Sequence, residues 1–407
     1  MNPDVFGVYV HIPFCVKKCN YCDFLSCASD DDTKKKYIAA LINEIKSLEP
    51  DSRPVASVFI GGGTPSCIDE RHIVSVMDAL HEKFKFADNA EVTIECNPET
   101  LTRAKAEAYI GSGINRISFG LQSTDNATLK LLGRIHTYEK FVESFKCARE
   151  AGFNNINVDM MAALPGQSLD SYMEGLAKVV SLNPEHISAY SLIVEEGTQL
   201  YDNLSQYPNL PDEDVEREMY HRTLDYLTRM GYRRYEISNY AKPGFESRHN
   251  CSYWELTDYI GTGLGASGYY KGYRYTNTAD MEKYIRCAAG EAQVRASYET
   301  LGKTSDEIRV RASDKILSKA CEIHRETTND MMEEFMFLGL RKMDGVSYDE
   351  FQKIFGCDIK SIYAKEIENN CHNGLLCEYV NKDGGVSLRL TERGIDISNT
   401  VMADFML

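Results

Sequence analysis

Short apolar runs alternate with longer stretches of helical periodicity from residue 5 to about residue 240. The runs predict strands at Val5–Ile12, Val55–Ile60, Glu91–Glu95, Arg116–Phe119, Asn155–Met160, Ile187–Leu192 and Arg234–Ile237. Between the first six, apolar residues three and four apart predict helices at Asp32–Leu48, Glu70–Phe86, Ala104–Ser112, Tyr138–Ala151 and Leu169–Val180. A further helix, Asp212–Met230, follows the sixth strand. Strands and helices in this alternation build a parallel sheet, and right-handed crossovers curl it toward a full or partial barrel. The expected class is α/β, with a parallel sheet that closes into a full or a partial barrel.

Beyond residue 240 the rhythm breaks. Residues 241–275 are rich in Gly, Tyr and Asn, and residues 300–330 read as charged and helical. Residues 331–407 read as three helices, a β-hairpin about Lys382-Asp383-Gly384-Gly385, and a last helix beginning at Thr391. Three regions are expected: the barrel over 1–240, a connecting segment with a polar-aromatic loop over 241–330, and a small winged-helix-like domain over 331–407.

Polar and Gly-rich motifs come directly after the strands. A cysteine loop follows the first, Gly61-Gly62-Gly63-Thr64-Pro65 the second and Gly120-Leu121-Gln122 the fourth. Glu95-Cys96-Asn97-Pro98 closes the third, Asp159 ends the fifth and Tyr190 lies in the sixth. Barrels of this kind build their sites at the C-terminal ends of strands, so these motifs are expected to meet at one mouth. Glu95, Gln122, Arg134 and Asp159 are the hydrogen-bonding residues of that set, able to hold an amine, a carboxylate and ribose hydroxyls.

The cysteine loop carries Cys15, Cys19 and Cys22 in a C-x3-C-x2-C spacing. Three thiolates on one short loop can hold three irons of a [4Fe–4S] cluster, whose usual full set is four cysteines. The fourth iron is then open to a small molecule. The alternative is zinc, with Cys27 or His11 as fourth ligand. Structural zinc usually takes two separated ligand pairs, and no second C-x2-C follows here. A zinc-stabilised interaction protein is therefore the competing reading from another class.

Composition narrows the setting. Hydrophobic residues make up 43% and charged residues 26%, as in ordinary globular proteins. With 45 Lys and Arg against 61 Asp and Glu, the net charge is −16, which argues against a nucleic-acid partner although winged-helix modules often bind DNA. Thirteen scattered cysteines suggest reduced thiols in the cytoplasm rather than a disulfide framework. No signal-like segment or membrane-spanning run is found, and peripheral membrane contact stays compatible with the sequence.

The C-x3-C-x2-C loop with Gly-Gly-Gly-Thr-Pro resembles the radical S-adenosylmethionine superfamily. There the open iron binds the amine and carboxylate of S-adenosylmethionine, and reduction of the cluster cleaves it to a 5′-deoxyadenosyl radical. Four longer strings narrow the resemblance: Tyr9-Val-His-Ile-Pro-Phe-Cys15, Glu95-Cys-Asn-Pro98, Phe119-Gly-Leu-Gln-Ser123 and Leu164-Pro-Gly-Gln167. They are similar to the oxygen-independent coproporphyrinogen III oxidase group, over residues 5–290 and again from 328 onward. The true oxidases carry another cysteine two positions past the triplet, where this chain has Phe24. His249-Asn250-Cys251-Ser252-Tyr253-Trp254 matches the H-N-x-x-Y-W string of the HemW branch, and Glu333-Glu-Phe-Met-Phe-Leu-Gly-Leu-Arg341 also resembles that branch. Residues 297–327 look longer than is usual there.

This resemblance implies a partial (β/α)6-type parallel barrel and a heme chaperone that passes heme to respiratory-chain proteins, with an unnamed electron donor and a homodimeric state. It implies Cys15, Cys19 and Cys22 as cluster ligands. Tyr9, Gly62 and Glu95 would contact the S-adenosylmethionine at the cluster. Tyr21, Gly63, Thr64, Gln122, Arg134 and Asp159 fall where the oxidases hold a second S-adenosylmethionine. His249 is the candidate heme ligand, with Cys251 as the nearby alternative. The competing function within the group is coproporphyrinogen III oxidation, in which two propionates become vinyl groups.

Overall fold

The computed structural model describes residues 3–288, 297–298, 322–380 and 384–406. Six βα units come first: β1 Phe6–Ile12, α1 Asp31–Ser47, β2 Val55–Gly62, α2 Glu70–Lys83, β3 Phe86–Cys96, α3 Arg103–Gly111, β4 Arg116–Gln122, α4 Asn126–Leu131, α5 Tyr138–Ala151, β5 Ile156–Ala162, α6 Leu169–Ser181 and β6 His186–Ser191. Strands β1 to β6 lie side by side in chain order, all parallel. Each long crossover helix starts at a capping residue. Asp30, Asp69, Thr102, Thr137 and Ser168 accept a backbone N–H from the first turn, which fixes where each helix begins.

Alternation along the strands divides the layers. In β1, Phe6, Val8, Val10 and Ile12 are fully buried in the main core with Leu41 and Ile45 of α1 and Val76 and Met77 of α2. The intervening Gly7, Tyr9 and His11 belong to the other face, the barrel interior, as a period of two requires.

Next come α7 Gln199–Asp202, α8 Glu213–Arg229, β7 Arg233–Glu236, β8 Asn239–Ala241, α9 Arg248–Trp254, β9 Tyr259–Thr262, β10 Ser267–Tyr270, β11 Tyr273–Thr276 and α10 Met281–Ala288. Two features differ from the pattern read in the sequence. The strand expected at Arg234–Ile237 is not a further barrel strand: β7 pairs antiparallel with β8, which pairs antiparallel with β6, and the two close that edge. The expected connecting segment also widens the sheet, because β9 joins β1 in parallel and β10 and β11 follow. With β12 Ser297–Tyr298 and β13 Glu322–Arg325 the sheet reaches 13 strands. The helical reading of 300–330 falls mostly outside the described residues. Its described part includes the strand β13, whose neighbour β11 is distant in sequence and so invisible to local periodicity.

The C-terminal domain runs α11 Thr328–Gly339, β14 Val346–Ser347, α12 Tyr348–Phe355, α13 Ile359–His372, β15 Leu376–Val380, β16 Val386–Leu390, α14 Glu392–Asp396 and α15 Ser398–Ala403. Its antiparallel sheet, ordered β14-β16-β15, with α12 and α13 matches the winged-helix expectation. The hairpin tip at Lys382 and Asp383 lies outside the described residues. Thr391 caps α14, as its position suggested. Phe351, Tyr363, Leu388 and Met402 form the core of this domain, which Leu256 and Tyr269 of the barrel extension join. Arg234 pairs with both carboxylate oxygens of Glu392 at 2.8 and 3.0 Å, and Arg341 stacks 4.6 Å over Trp254. These contacts tie the domain to the barrel.

Candidate cofactor site at the barrel mouth

The cysteine loop leaves β1 at Pro13 and is pinned at both ends. Cys15 donates its N–H to Cys27 O at 3.0 Å, and Cys27 returns one to Pro13 O at 2.8 Å. Asn20 anchors the tip: its N–H reaches Leu132 O, and its side chain reaches Leu131 O and the Tyr207 hydroxyl, each near 3.0 Å. Cys27 therefore closes the base of the loop, and its exposed thiol turns to Ser29.

The zinc alternative meets two geometric objections. Both ring nitrogens of His11 are taken, Nδ1 by the Tyr9 hydroxyl and Nε2 by Leu25 O, each at 2.9 Å. Among the described residues, only His324, Glu326 and Asp330 bring three candidate metal-ligand atoms within 4.8 Å of one another. The three cysteine sulfurs are thus spread wider than a tetrahedral zinc site, where Zn–S bonds of about 2.3 Å put sulfurs about 3.8 Å apart. A cluster bridging several metal ions suits the wider spacing.

Above the loop lies a cavity of about 320 Å³. Cys15, Cys19 and Cys22 line one side, and Tyr21, Gly62, Gly63, Thr64, Glu95, Gln122, Arg134 and Asp159 line the rest. The strand-end motifs therefore converge as expected. Gly62 is required twice over: its φ of +108° is left-handed, and a Cβ there would strike the His11 ring. At Gly63 a Cβ would stand 2.7 Å from the Phe14 carbonyl oxygen. These glycines let the second strand's turn lie directly on the cysteine loop. Gln122 also holds a positive φ of 73°, which aims its Oε1 at the Tyr190 hydroxyl 3.1 Å away.

Two carboxylates face this cavity. Burial raises the Glu95 carboxyl from about 4.5 to about 7, and the charge of Asp159 adds to it. Burial likewise raises Asp159, against hydrogen bonds from Asn157 and Ser188. Glu95 accepts one backbone bond, from Gly62 N at 3.1 Å, and Arg116 is the cation that opposes the rise. Behind the cavity, burial first and nearby acidic groups second raise the hydroxyls of Tyr9 and Tyr253, so both are neutral. Two half-buried carboxylates at an open cavity suit a cationic ligand, as the ammonium and sulfonium groups of S-adenosylmethionine are.

A raised carboxyl stabilises the fold only in its protonated form. That contribution is complete below about 4.5 and is lost as pH rises through about 7. A cation bound beside Glu95 favours the ionised form and must expel the proton at lower pH. S-adenosylmethionine affinity is therefore expected to rise with pH up to about 7 and to level above it. Calorimetric titration across that range should show the slope in the native protein and a flat profile in Glu95→Gln.

Two expected site residues stand apart. Tyr9 lies beneath the cavity, its hydroxyl on His11 Nδ1. His249 sits deeper in the barrel, 1% exposed, with Nδ1 on Ser57 Oγ at 2.9 Å and Nε2 on the Tyr253 hydroxyl at 2.8 Å. Burial first, and then Arg116, lowers its pKa to about 3, so the ring is neutral. The His-Asn-Cys-Ser-Tyr-Trp string is not a loop but helix α9. Ser247 caps it through Asn250 N, and the Glu91 carboxylate receives the N–H groups of Arg248 and His249 at 3.1 Å. The helix turns Asn250 toward the cofactor cavity. Its other end, Tyr253 and Trp254, lines a separate cavity of about 530 Å³ with Tyr259, Tyr269, Phe337 and Leu338.

Some lining residues carried no motif. Ser118 and Ser188 stand two residues before Gly120 and Tyr190, so strand alternation alone could have found them. Asn239 comes from the antiparallel edge strand β8 and had no signal.

Comparison with known proteins agrees with this geometry. Residues 9–178 match the radical SAM superfamily, and residues 327–397 match the HemN C-terminal domain. The heme chaperone HemW of Lactococcus lactis is 34% identical over 402 residues, 98% of this chain and 97% of the relative. The chain belongs to the HemW family. The HemW of Bacillus subtilis is 35% identical over 98% of this chain and 99% of its own length. A mitochondrial radical S-adenosyl methionine domain-containing protein of Danio rerio is 30% identical over 96% of this chain and 83% of its own. Among solved structures, coproporphyrinogen III oxidase HemN of Escherichia coli superposes with a TM-score of 0.78 over 98% of this chain and 90% of that one. At 21% identity that likeness shows the fold. Superfamily membership makes a [4Fe–4S] cluster and S-adenosylmethionine the cofactors of this HemW family member, and the wide cysteine triad beside two half-buried carboxylates fits both.

Proposed function

We propose that the protein is a heme chaperone of the cytoplasm that takes up heme and delivers it to heme-requiring respiratory proteins. The observation that carries this reading is end-to-end identity with HemW relatives, 34% over 98% of the chain. Phe24, 69% exposed on the cysteine loop where the oxidases have a further cysteine, supports it. The oxidase reading rests on the shared fold, the C-terminal domain match and strings common to the whole group, and the chain lacks the oxidases' further cysteine.

Cys15, Cys19 and Cys22 hold the cluster. When bound, a reduced cluster supplies one electron to S-adenosylmethionine. Gly62 offers its backbone, Glu95 takes the cationic end of that ligand, and Tyr9 supports the cavity floor through His11. Tyr21, Gly63, Gln122 and Asp159 contact the outer part of the bound molecule. His249 contributes to heme binding by one of two routes. Its Nε2 can ligate iron once the Tyr253 hydroxyl is displaced, or it holds Tyr253 in the wall of the 530 Å³ aromatic cavity. Aromatic walls suit a porphyrin face.

Heme titration followed by absorbance tests this. His249→Ala is expected to change the Soret and visible bands and to weaken binding, with cluster absorption and S-adenosylmethionine affinity near wild type. If His249→Ala leaves the heme spectrum intact while Cys251→Ser changes it, Cys251 is the ligand and His249 is not.

A further inference from the structure

The three cluster cysteines are not left bare. The Cys15 sulfur lies 3.5 Å from the Thr64 hydroxyl. The Cys22 sulfur meets the backbone N–H of Phe24. The Cys19 sulfur receives Nη1 of Arg134 at 3.4 Å. Each thiolate thus has its own donor, from three different segments of the chain.

Arg134 is the unusual member. Its Nη2 is bonded to the Gly120 carbonyl, and its Nε is buried without a partner. The bonds it makes run to a neutral carbonyl and a cysteine sulfur. Burying a guanidinium is costly unless a charge compensates it. Negative charge within reach comes from the Asp159 carboxylate across the cavity and, once a cluster is bound, from the Cys19 sulfur that Nη1 touches. The resemblance to the oxidases would instead direct Thr64 and Arg134 to a second S-adenosylmethionine.

We propose that Thr64 and Arg134 are positioning residues of the cluster that set its reduction potential through the sulfurs of Cys15 and Cys19. The inference rests on the cofactor reading of this site. One-electron reduction by a low-potential donor adds negative charge to a thiolate-bound cluster. Hydrogen bonds to its sulfurs and a nearby cation stabilise the reduced form more than the oxidised one and raise the potential.

The test is an EPR-monitored redox titration with dithionite on anaerobically reconstituted protein without S-adenosylmethionine, beside an iron assay and a separate S-adenosylmethionine binding titration. Arg134→Gln and Thr64→Val are expected to keep the native iron content and to shift the midpoint potential negative. The larger shift belongs to Arg134→Gln, which loses a charge as well as a donor. Thr64→Ser, which keeps the hydroxyl, should restore the native value, an outcome that a merely structural role would not produce. If Arg134→Gln fails to hold iron, Thr64→Val against Thr64→Ser decides the matter. An unchanged potential with full iron overturns the proposal, and an accompanying fall in S-adenosylmethionine stoichiometry would return both residues to ligand binding. Failure of wild-type protein to incorporate iron would instead overturn the cofactor reading beneath it.

Discussion

Replacing Cys15, Cys19 or Cys22 with alanine is expected to abolish the cluster, whereas Cys27→Ser is expected to leave it in place. The three sulfurs share one cavity wall, and each lost ligand leaves a second iron open on a loop that offers no replacement. Cys27 cannot step in, because its backbone closes the base of the loop and its thiol turns outward to Ser29. Iron content and the broad charge-transfer absorption after anaerobic reconstitution measure this directly. Equal loss of iron in Cys27→Ser would contradict a three-cysteine cluster with an open iron.

Loss of the Glu95 carboxylate is expected to weaken S-adenosylmethionine binding about ten- to a hundredfold. A charge-assisted bond is worth about 1.5–3 kcal/mol, and each 1.4 kcal/mol is about tenfold in affinity. Glu95 is half-buried at the cavity wall with a single backbone bond, so a bound cation gains a partner that water screens only in part. Glu95→Gln keeps the shape and one acceptor, and Glu95→Ala removes both, so alanine should be the weaker binder. Iron content should stay native in each. Dissociation constants equal to wild type in both variants would remove Glu95 from the ligand contacts.

The barrel was legible because its strands are buried and its helices are capped. Predicted Tyr138–Ala151 agrees with α5 at both ends, since Thr137 caps one and Gly152 in the left-handed conformation ends the other. β3 was read too short, because its first residues, Phe86 to Asn89, lie at the surface and lack an apolar run. Helix α9 was missed for a different reason. Its start is fixed by Glu91, which touches it but is distant in sequence, and flanking Gly, Tyr and Asn residues mask a helix of seven residues. The four-residue strands β9 to β11 leave too little alternation to detect.

The site divides the same way. The glycines, Glu95, Gln122 and Asp159 announced themselves by standing at strand ends. Arg116 did not, because an arginine at the start of a strand reads as a surface residue. It is 2% exposed here, and its charge acts on Glu95, Asp159, His186 and His249 together. The partners that occupy the His249 ring nitrogens, Ser57 and Tyr253, likewise follow from barrel closure and not from the string that drew attention to the histidine.

The most direct measurement offers reconstituted protein coproporphyrinogen III and heme in parallel, anaerobically, with S-adenosylmethionine and a low-potential reductant. Products are separated by chromatography, and heme retention is read from the Soret band. The chaperone account predicts a stable heme complex and no vinyl-bearing product. Conversion of coproporphyrinogen III by a protein that retains no heme would contradict it.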